Sequence, residues 1–231
     1  MIKKPIFILL LGLSALLAGC TQGTTTEPTK RPALTVKNAE TEKIVTDQDA
    51  VKNALNVGAK MPSFSLKDIG GKTVTSDELL KKGNLIVVFY RGAWCPFCNL
   101  YLQNLQKEAA NIKAAGGNIV AISVEKPDKS SNVARKNELQ FTVLSDPQLE
   151  TARKFGIVYQ LGKETDEQYK TKGLDIVTNN EMERAELPLG ATYIVKQNGE
   201  IVFAYLDTDY KKRAEPDVII ENLKKINNKV N

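Results

Sequence analysis

The sequence predicts an α/β protein with a central mixed sheet flanked by helices. In the middle of the chain, apolar strand-like runs alternate with helix-like segments, which favours parallel strands joined by crossover helices. Near the end, two apolar runs flank Asn198-Gly199, a dipeptide typical of the tight turn of an antiparallel hairpin. A wholly apolar run, residues 85–89, leads into Cys95-Pro96-Phe97-Cys98 and then into a helical pattern.

The N-terminal residues predict export and lipid attachment. Met1 to Lys4 is basic, residues 5–17 are almost wholly apolar, and Leu17-Ala18-Gly19-Cys20 follows. This pattern is typical of a bacterial lipoprotein signal peptide, residues 1–19, whose removal makes Cys20 the lipidated N-terminus. The alternative is an uncleaved anchor, but the apolar run is shorter than the roughly 20 residues of a spanning helix. We therefore expect a domain outside the cytoplasm, held to the bacterial cell envelope by lipid.

The remaining chain is predicted to hold one tether and one domain. Residues 20–53 contain few large apolar side chains, which indicates a lipidated N-terminus followed by a flexible tether. Residues 54–231 then form the domain. The whole sequence has 32 basic and 27 acidic residues, which gives a net charge of +5. Removing the signal peptide removes Lys3 and Lys4, so 30 basic residues remain and the net charge falls to +3. So mild a charge does not indicate a nucleic-acid partner.

The predicted strands are apolar runs bounded by turn residues. They lie at residues 63–66, 72–74, 85–89, 118–124, 141–144, 191–195 and 201–205. Gly70-Gly71 forms the turn between the first two strands, and Asn198-Gly199 forms the turn between the last two. The strands at 85–89 and 118–124 flank a long helix, so they form a parallel crossover unit.

The predicted helices begin at capping residues or prolines. A capping box at Thr75-Ser76-Asp77-Glu78 opens a brief helix, and Glu215-Pro216-Asp217 starts the closing one. The others span residues 96–115, 130–139 and 148–155. Residues 160–187 form a polar insertion with a short helix near 163–172; a solvated connection, a lid and a partner loop are the alternatives.

The two cysteines after the central strand are predicted to have different environments. Cys95 falls at the helix cap, before Pro96 at the first helical position, where unpaired backbone N–H groups stabilise a thiolate. A cysteine of pKa about 8.5 is only about 3% thiolate at pH 7, whereas one of pKa about 6 is about 90% thiolate. Cys98 lies on the core-facing stripe of the helix with Leu102, Leu105, Ala109 and Ile112. We expect an exposed nucleophile, Cys95, and a more buried partner one turn away, close enough to form a disulfide.

Three other interpretations of the C-x-x-C segment are weaker. A structural zinc site needs four ligands, but the sequence has no histidine and only one other cysteine, Cys20. A structural disulfide across so short a loop restricts the unfolded chain little. Inert core thiols are the third alternative. The lack of histidine also excludes Ser-His-Asp and Cys-His catalysis, so redox chemistry is favoured.

From about residue 57 to 226, the chain resembles the alkyl hydroperoxide reductase C and thiol-specific antioxidant (AhpC/TSA) family of the thioredoxin superfamily. Three blocks carry the resemblance: FYRGAWCPFCNLYLQNLQ, FTVLSDPQLETARKFGI and LPLGATYIVKQNGEIVFAYLDTDYKKRAEP. The match is to a peroxiredoxin-like branch of the family. It implies a thioredoxin-like fold, a peroxide-reducing cysteine and reduction by a thioredoxin-like partner.

Two glycines depart from the patterns of the related families. Gly92 stands three residues before Cys95, where typical peroxiredoxins have threonine or serine, and Gly190 stands where thioredoxins keep a cis-proline. Arg91 is interpreted either as a cation that stabilises thiolate or peroxide oxygen, or as a solvated strand end. Trp94 is expected to pack beside the cysteines. Arg91, Trp94 and Gly190 are thus the candidate activating or substrate-binding residues.

The sequence therefore predicts a lipid-anchored thiol peroxidase that cycles between dithiol and disulfide. The Cys95 thiolate attacks a hydroperoxide, Cys98 condenses with the resulting sulfenic acid, and an external dithiol reduces the disulfide, without metal or organic cofactor. One alternative is a thioredoxin-like oxidoreductase that acts on disulfides of envelope proteins. The other is a non-catalytic envelope binding protein.

Overall fold

A computed structural model describes residues 44–228 of the chain. The predicted signal peptide, the lipidation site Cys20 and most of the predicted tether lie outside these residues. Within residues 44–228, no helix combines the length and the apolar character that crossing a bilayer requires.

The described part of the chain is built on a mixed seven-stranded sheet. The strands of the whole described region are β1 Ser65–Asp68, β2 Thr73–Thr75, β3 Asn84–Tyr90, β4 Gly117–Ser123, β5 Thr142–Ser145, β6 Val158–Gln160, β7 Glu186–Pro188, β8 Thr192–Val195 and β9 Ile201–Tyr205. The order in the sheet is β2-β1-β5-β4-β3-β8-β9. Strands β3, β4 and β5 are parallel, whereas β1 and β8 run antiparallel to their neighbours β5 and β3. The predicted α/β fold with a central mixed sheet is confirmed.

Eight helices are present between residues 44 and 228. They are α1 Asp47–Asn53, α2 Ser76–Leu80, α3 Pro96–Ala114, α4 Pro127–Lys136, α5 Glu150–Lys154, α6 Lys163–Thr171, α7 Ile176–Asn180 and α8 Pro216–Asn228. The capping box predicted at Thr75 is present, since its side chain accepts from Glu78 N and the Glu78 carboxylate accepts from Thr75 N. Helix α4 begins three residues before its predicted start, because Pro127 occupies its first turn.

Strand β3 lies inside the sheet, between β4 and β8, and is buried on both faces. Leu85, Val87 and Phe89 pack into one apolar cluster. The alternate residues Ile86 and Val88 pack into a second cluster with the buried faces of α3 and α8. Because both faces of β3 are covered, the packing of this strand fixes the position of the residues that follow it.

The ordered domain begins earlier than predicted. The tether was predicted to extend to residue 53, but Thr46 caps helix α1 in a capping box with Asp49, and Ala50 is fully buried. Only one side of this short helix contacts the core, so its composition is as polar as that of a tether. Residues 46–53 therefore belong to the folded domain.

The polar insertion is more ordered than a solvated connection. Helices α6 and α7 form within it, and β7 pairs with β6 in a separate two-stranded sheet. Ile176 and Leu187 are fully buried in the core cluster that contains Phe89. The insertion thus packs against the domain, and its helix α6 approaches the cysteines.

Candidate functional site

The two cysteines lie between the end of strand β3 and the first turn of helix α3. Cys95 is the N-cap residue of α3, and Pro96 occupies the first helical position, as predicted. The Cys95 sulfur accepts a hydrogen bond from the Cys98 backbone N–H, with an N-to-S distance of 3.3 Å. The sulfur thus accepts the capping hydrogen bond that the side-chain oxygen of serine or aspartate commonly accepts at the start of a helix. Both Cys95 and Cys98 are free thiols in this structure.

The surroundings drive the pKa values of the two thiols apart. The Cys98 thiol donates to the Cys95 sulfur, and Arg91 donates to it from 3.4 Å. Chiefly the first contact, and then the charge of Arg91, lower the pKa of Cys95 to about 5, against the opposing effect of burial. Burial raises the pKa of Cys98 well above its ordinary value, and its hydrogen bond to Cys95 adds to this. At neutral pH the pair is therefore a Cys95 thiolate beside a Cys98 thiol.

The prediction that Cys95 is exposed is wrong. Its exposed fraction is 0%, the same as that of Cys98, whose burial was predicted correctly. Both sulfurs lie in one apolar cluster with Tyr90 and Leu102, and Trp94 packs against this cluster as expected. Helical periodicity places Cys98 toward the core, but it says nothing about the residues that cover the helix end.

Arg91 is the residue that covers Cys95. It is only 3% exposed, which contradicts the interpretation as a solvated strand end. Its guanidinium carbon lies 3.6 Å from the ring centroid of Tyr210 and 5.1 Å from that of Trp94. Its Nη1 donates to the hydroxyl oxygen of Tyr169 on α6 over 3.0 Å, while Nη2 donates to Cys95. Aromatic faces and a hydroxyl therefore hold the cation against the sulfur.

A cavity of about 170 Å³ lies beside this arginine. Its lining includes Arg91, Trp94, Phe97, Tyr169, Leu174 and Tyr210. The guanidinium of Arg91 both lines the cavity and donates to the Cys95 sulfur. A small substrate in the cavity would therefore meet the cation next to the thiolate.

Sequence reasoning missed four residues of the site: Glu125, Tyr169, Tyr210 and Arg213. Each is far from the C-x-x-C segment in sequence and reaches it only through the fold. Arg213 and Tyr210 stand inside the third block that resembles the AhpC/TSA family, so that block was a signal for them. Tyr169 stands in the polar insertion, where nothing in the pattern distinguishes it.

Glu125 supports the turn before Cys95 from the neighbouring strand. It follows β4, is 2% exposed, and its carboxylate accepts from the Ala93 backbone N–H over 2.8 Å. Burial raises the pKa of Glu125 from 4.5 to about 6, with the hydrogen bond from Ala93 opposing the rise. The folded protein therefore holds this proton to a higher pH than the unfolded chain does.

We expect Glu125→Gln to stabilise the protein above pH 6 and to have little effect near pH 4. As pH rises from about 4.5 to about 6, the unfolded chain loses the Glu125 proton first, so the parent protein loses up to about 2 kcal/mol of unfolding free energy. Glutamine keeps an acceptor for Ala93 and does not titrate. Urea unfolding between pH 4 and pH 8 measures the difference. The exposed Glu167→Gln serves as a control, and equal effects of the two substitutions at pH 8 would contradict the prediction.

Gly92 explains why no threonine stands three residues before Cys95. Its φ is +140°, a conformation that disfavours side chains. A Cβ on Gly92 would lie 2.5 Å from the Trp94 Nε1 atom and 2.9 Å from the Glu125 carboxylate. The turn therefore leaves no space for a hydroxyl-bearing side chain at this position.

We expect Gly92→Ala to destabilise the protein by roughly 2 kcal/mol or more, since strain and overlap add. Gly199→Ala is the matched control, because Gly199 has a φ of +83° but no atom within 4 Å of an added Cβ. The difference in unfolding free energy between the two variants, measured in urea, gives the contribution of the overlap together with that of the different φ at Gly92. A Gly92→Ala variant no less stable than Gly199→Ala would contradict the close contact.

Gly190 lies directly against the guanidinium of Arg213. A Cβ on Gly190 would lie 1.9 Å from Arg213 Nη1, so a proline here would have to displace the guanidinium. Arg213 is 7% exposed, and its Nη2 lies 3.7 Å from the Cys98 sulfur. The site therefore has one arginine next to each cysteine.

Comparison with known proteins finds one matching family and several similar sequences. The sequence model of the AhpC/TSA family matches residues 57–204. Peroxiredoxin Bcp of Escherichia coli (strain K12) is 34% identical over 105 residues, which are 46% of this chain and 67% of that protein. The chloroplastic peroxiredoxin Q of Populus jackii is 30% identical over 149 residues, 60% of this chain and 69% of that protein.

A solved structure supports the same fold. Peroxidoxin BcpB of Mycobacterium tuberculosis superposes with a TM-score of 0.61 over 74% of this chain and 98% of that chain. The two sequences are 19% identical, so the likeness concerns the architecture alone. The thioredoxin-like fold that the resemblance implied is confirmed.

Proposed function

Because this chain belongs to the AhpC/TSA family and is a peroxiredoxin-type thiol peroxidase, we propose that Cys95 attacks the hydroperoxide and Cys98 resolves the product. One observation carries this assignment: Cys95 accepts hydrogen bonds from Arg91 and from Cys98, and has a pKa of about 5. At pH 7 such a thiol is about 99% thiolate. Cys98 holds its proton one helical turn away.

In the first step, the Cys95 thiolate attacks the terminal oxygen of the hydroperoxide and breaks the O–O bond. The sulfur loses two electrons and becomes a sulfenic acid that carries the transferred hydroxyl, and the other oxygen leaves as an alkoxide, or as hydroxide when the substrate is hydrogen peroxide. This anion then takes one proton from solvent and becomes an alcohol or water. Negative charge passes from sulfur to the leaving oxygen. Arg91, which donates to the Cys95 sulfur from 3.4 Å, stabilises this charge.

In the second step, Cys98 attacks the sulfenic sulfur of Cys95. A disulfide forms, the S–O bond breaks, and the hydroxyl leaves as water with the proton that Cys98 gives up. An external thioredoxin-type dithiol then reduces the disulfide to two thiols and is itself oxidised. The cycle needs no metal or organic cofactor. The relatives that bear peroxiredoxin names support this reductant class for the present chain.

The test supplies the full chain with thioredoxin, thioredoxin reductase and NADPH, and measures NADPH consumption with three acceptors. Hydrogen peroxide and an organic hydroperoxide should each support turnover, and a disulfide-bonded protein should support little. Rapid turnover on the protein disulfide with none on either peroxide would replace the proposal with a disulfide oxidoreductase. No turnover on any acceptor would favour a binding protein.

We further propose that the enzyme is lipid-anchored through Cys20 in a bacterial cell envelope. The support is the basic and apolar N-terminal pattern that ends in Leu17-Ala18-Gly19-Cys20. The tether before residue 46 would then separate the domain from the membrane surface.

We expect Cys20→Ala to block lipidation and to leave an uncleaved precursor that migrates more slowly on a gel. The acceptor for the lipid is the cysteine thiol, which alanine lacks. Labelling of cells with a radioactive fatty acid measures the modification, and Cys98→Ala, with the N-terminus intact, should label like the parent. Undiminished labelling of Cys20→Ala would refute the lipid anchor.

A further inference from the structure

Arg213 is a buried cation whose nearest reactive partner is Cys98. It lies between β9 and α8 and is 7% exposed. Its Nη1 donates to the Lys212 carbonyl oxygen over 2.9 Å, and its Nη2 lies 3.7 Å from the Cys98 sulfur. Between residues 44 and 228, no carboxylate forms an ion pair with Arg213, and its Nε has no hydrogen-bond partner. A buried charge without a carboxylate is costly, which calls for a functional reason.

The backbone at Gly190 is what admits this guanidinium. Three guanidinium atoms of Arg213 lie 1.9, 2.0 and 2.3 Å from the place that a Cβ on Gly190 would occupy. Any side chain at this position would therefore push the cation out of its place. Gly190 and Arg213 form a matched pair, in which the missing side chain of one makes room for the charge of the other.

The positive charge of Arg213 is close enough to the Cys98 sulfur to act in the second step of the cycle. In the reduced protein, Cys98 remains a thiol because it is buried and because its neighbour Cys95 is an anion. Once Cys95 has become a neutral sulfenic acid, that anion is gone, and Arg213 remains. Arg91 also acts on Cys98, both through a hydrogen bond from its backbone and through the charge of its guanidinium, and Tyr90 is a further titratable group next to Cys98.

We propose that Arg213 is a second catalytic arginine, which stabilises the Cys98 thiolate as it attacks the sulfenic acid of Cys95. The inference rests on the proposed function and deepens it by assigning the two steps of the cycle to two different cations. Arg91, 3.4 Å from the Cys95 sulfur, serves the reaction with peroxide. Arg213, 3.7 Å from the Cys98 sulfur, serves disulfide formation, in which the Cys98 proton leaves with the hydroxyl as water. In the return step, the same cation stabilises Cys98 as the leaving thiolate.

The test follows a single turnover of the full chain by rapid chemical quenching. The reduced protein, freed of reductant, is mixed with one equivalent of hydrogen peroxide, and mass spectrometry quantifies Cys95 sulfenic acid and the disulfide over time at several pH values. The variants are Arg213→Gln, Arg213→Lys and Gly190→Ala. Lys212→Gln is the matched control, because it removes one positive charge from the adjacent, exposed position.

Sulfenic acid should form at the parent rate in all the variants. Disulfide formation should be about tenfold slower or more in Arg213→Gln and in Gly190→Ala, and its half-maximal pH should rise by about one unit. Arg213→Lys should recover part of the rate because it keeps the charge, and Lys212→Gln should match the parent. Gly190→Ala retains every charged group, so it carries the test even where Arg213→Gln folds poorly.

Two results would overturn the role of Arg213. One is a rate and pH profile of disulfide formation that are unchanged in Arg213→Gln or in Gly190→Ala. The other is an equal slowing of both steps in these variants, which would indicate a structural role alone. Failure of the proposed function would appear differently, as a parent chain that forms no sulfenic acid on Cys95.

Discussion

Replacing Cys95 with serine is expected to abolish peroxide-dependent turnover, with a loss on the order of 10³-fold or more. The reason is chemical: a serine hydroxyl at this helix cap has no adjacent base and remains protonated, whereas the Cys95 thiol has a pKa of about 5. NADPH consumption with hydrogen peroxide, in the presence of the thioredoxin system, measures the loss. Turnover that persists in Cys95→Ser would remove this residue from the peroxidatic role.

The partner variant, Cys98→Ser, should fail at a different point of the cycle. Its hydroxyl can still donate to the Cys95 thiolate, so the first equivalent of peroxide should be consumed at nearly the parent rate. Sulfenic acid should then accumulate on Cys95, because no thiol is left to form the disulfide. Cys20→Ser, which replaces the third cysteine of the chain, should turn over like the parent and so controls for a cysteine-to-serine change outside the C-x-x-C segment.

Removing the cation beside Cys95 is expected to give a defect that grows as the pH falls. Arg91→Met deletes the charge and keeps most of the volume of the side chain. Loss of an adjacent opposite charge raises a pKa by about one to three units, which moves Cys95 from about 5 to near 7. The thiolate fraction would then fall only about twofold at pH 7 but about fiftyfold at pH 5.

Two measurements separate the effects of Arg91 on thiolate formation and on the reaction itself. The pH dependence of Cys95 alkylation reports the thiolate, and its midpoint should rise in Arg91→Met. The rate constant with peroxide, compared at pH 5 and pH 7, adds the stabilisation of the leaving oxygen, so a loss above twofold at pH 7 reports that contribution. Arg135→Met, on the exposed side of α4, is the control. An alkylation midpoint that does not move would show that Arg91 does not stabilise the thiolate.

Arg91→Lys should recover only part of the parent activity. The guanidinium of Arg91 donates at once to Tyr169 and to Cys95, from two different nitrogens. A lysine ammonium keeps the charge but lacks the planar fork that reaches both partners in fixed directions.

The features that the sequence predicted well are those that depend on neighbours along the chain. The helix cap at Cys95, the burial of Cys98 and the order of strands and helices follow from spacing and from periodicity over a few residues. The assignment of Cys95 as nucleophile and Cys98 as its partner was inferred from the same local pattern, whereas the reaction with peroxide was implied by the resemblance to the family. The pKa values of the two cysteines, lowered at Cys95 and raised at Cys98, agree with that inference.

The features that the sequence did not predict depend on contacts between distant segments. Cys95 was expected to be exposed because Arg91, which covers it, is held in place by Tyr169 from the insertion and by Tyr210 from the loop after β9. The sequence shows that Gly92 and Gly190 depart from the family patterns, but it does not show why glycine stands at these two positions. Gly92 leaves room for Trp94 and Glu125, and Gly190 leaves room for a guanidinium that is 23 positions away along the chain, at residue 213.

The position of Trp94 makes the redox state of this enzyme visible to an optical measurement. Trp94 is the only tryptophan in the sequence, and its indole ring lies 5.1 Å from the Arg91 guanidinium, next to Cys95. Oxidation of the Cys95 thiolate removes a negative charge near this ring, and disulfide formation then joins the adjacent residue, Cys95, covalently to Cys98. Intrinsic tryptophan emission therefore comes from the active site alone, with no background from other tryptophans. We therefore expect this emission to report the oxidation of Cys95 in the unlabelled protein.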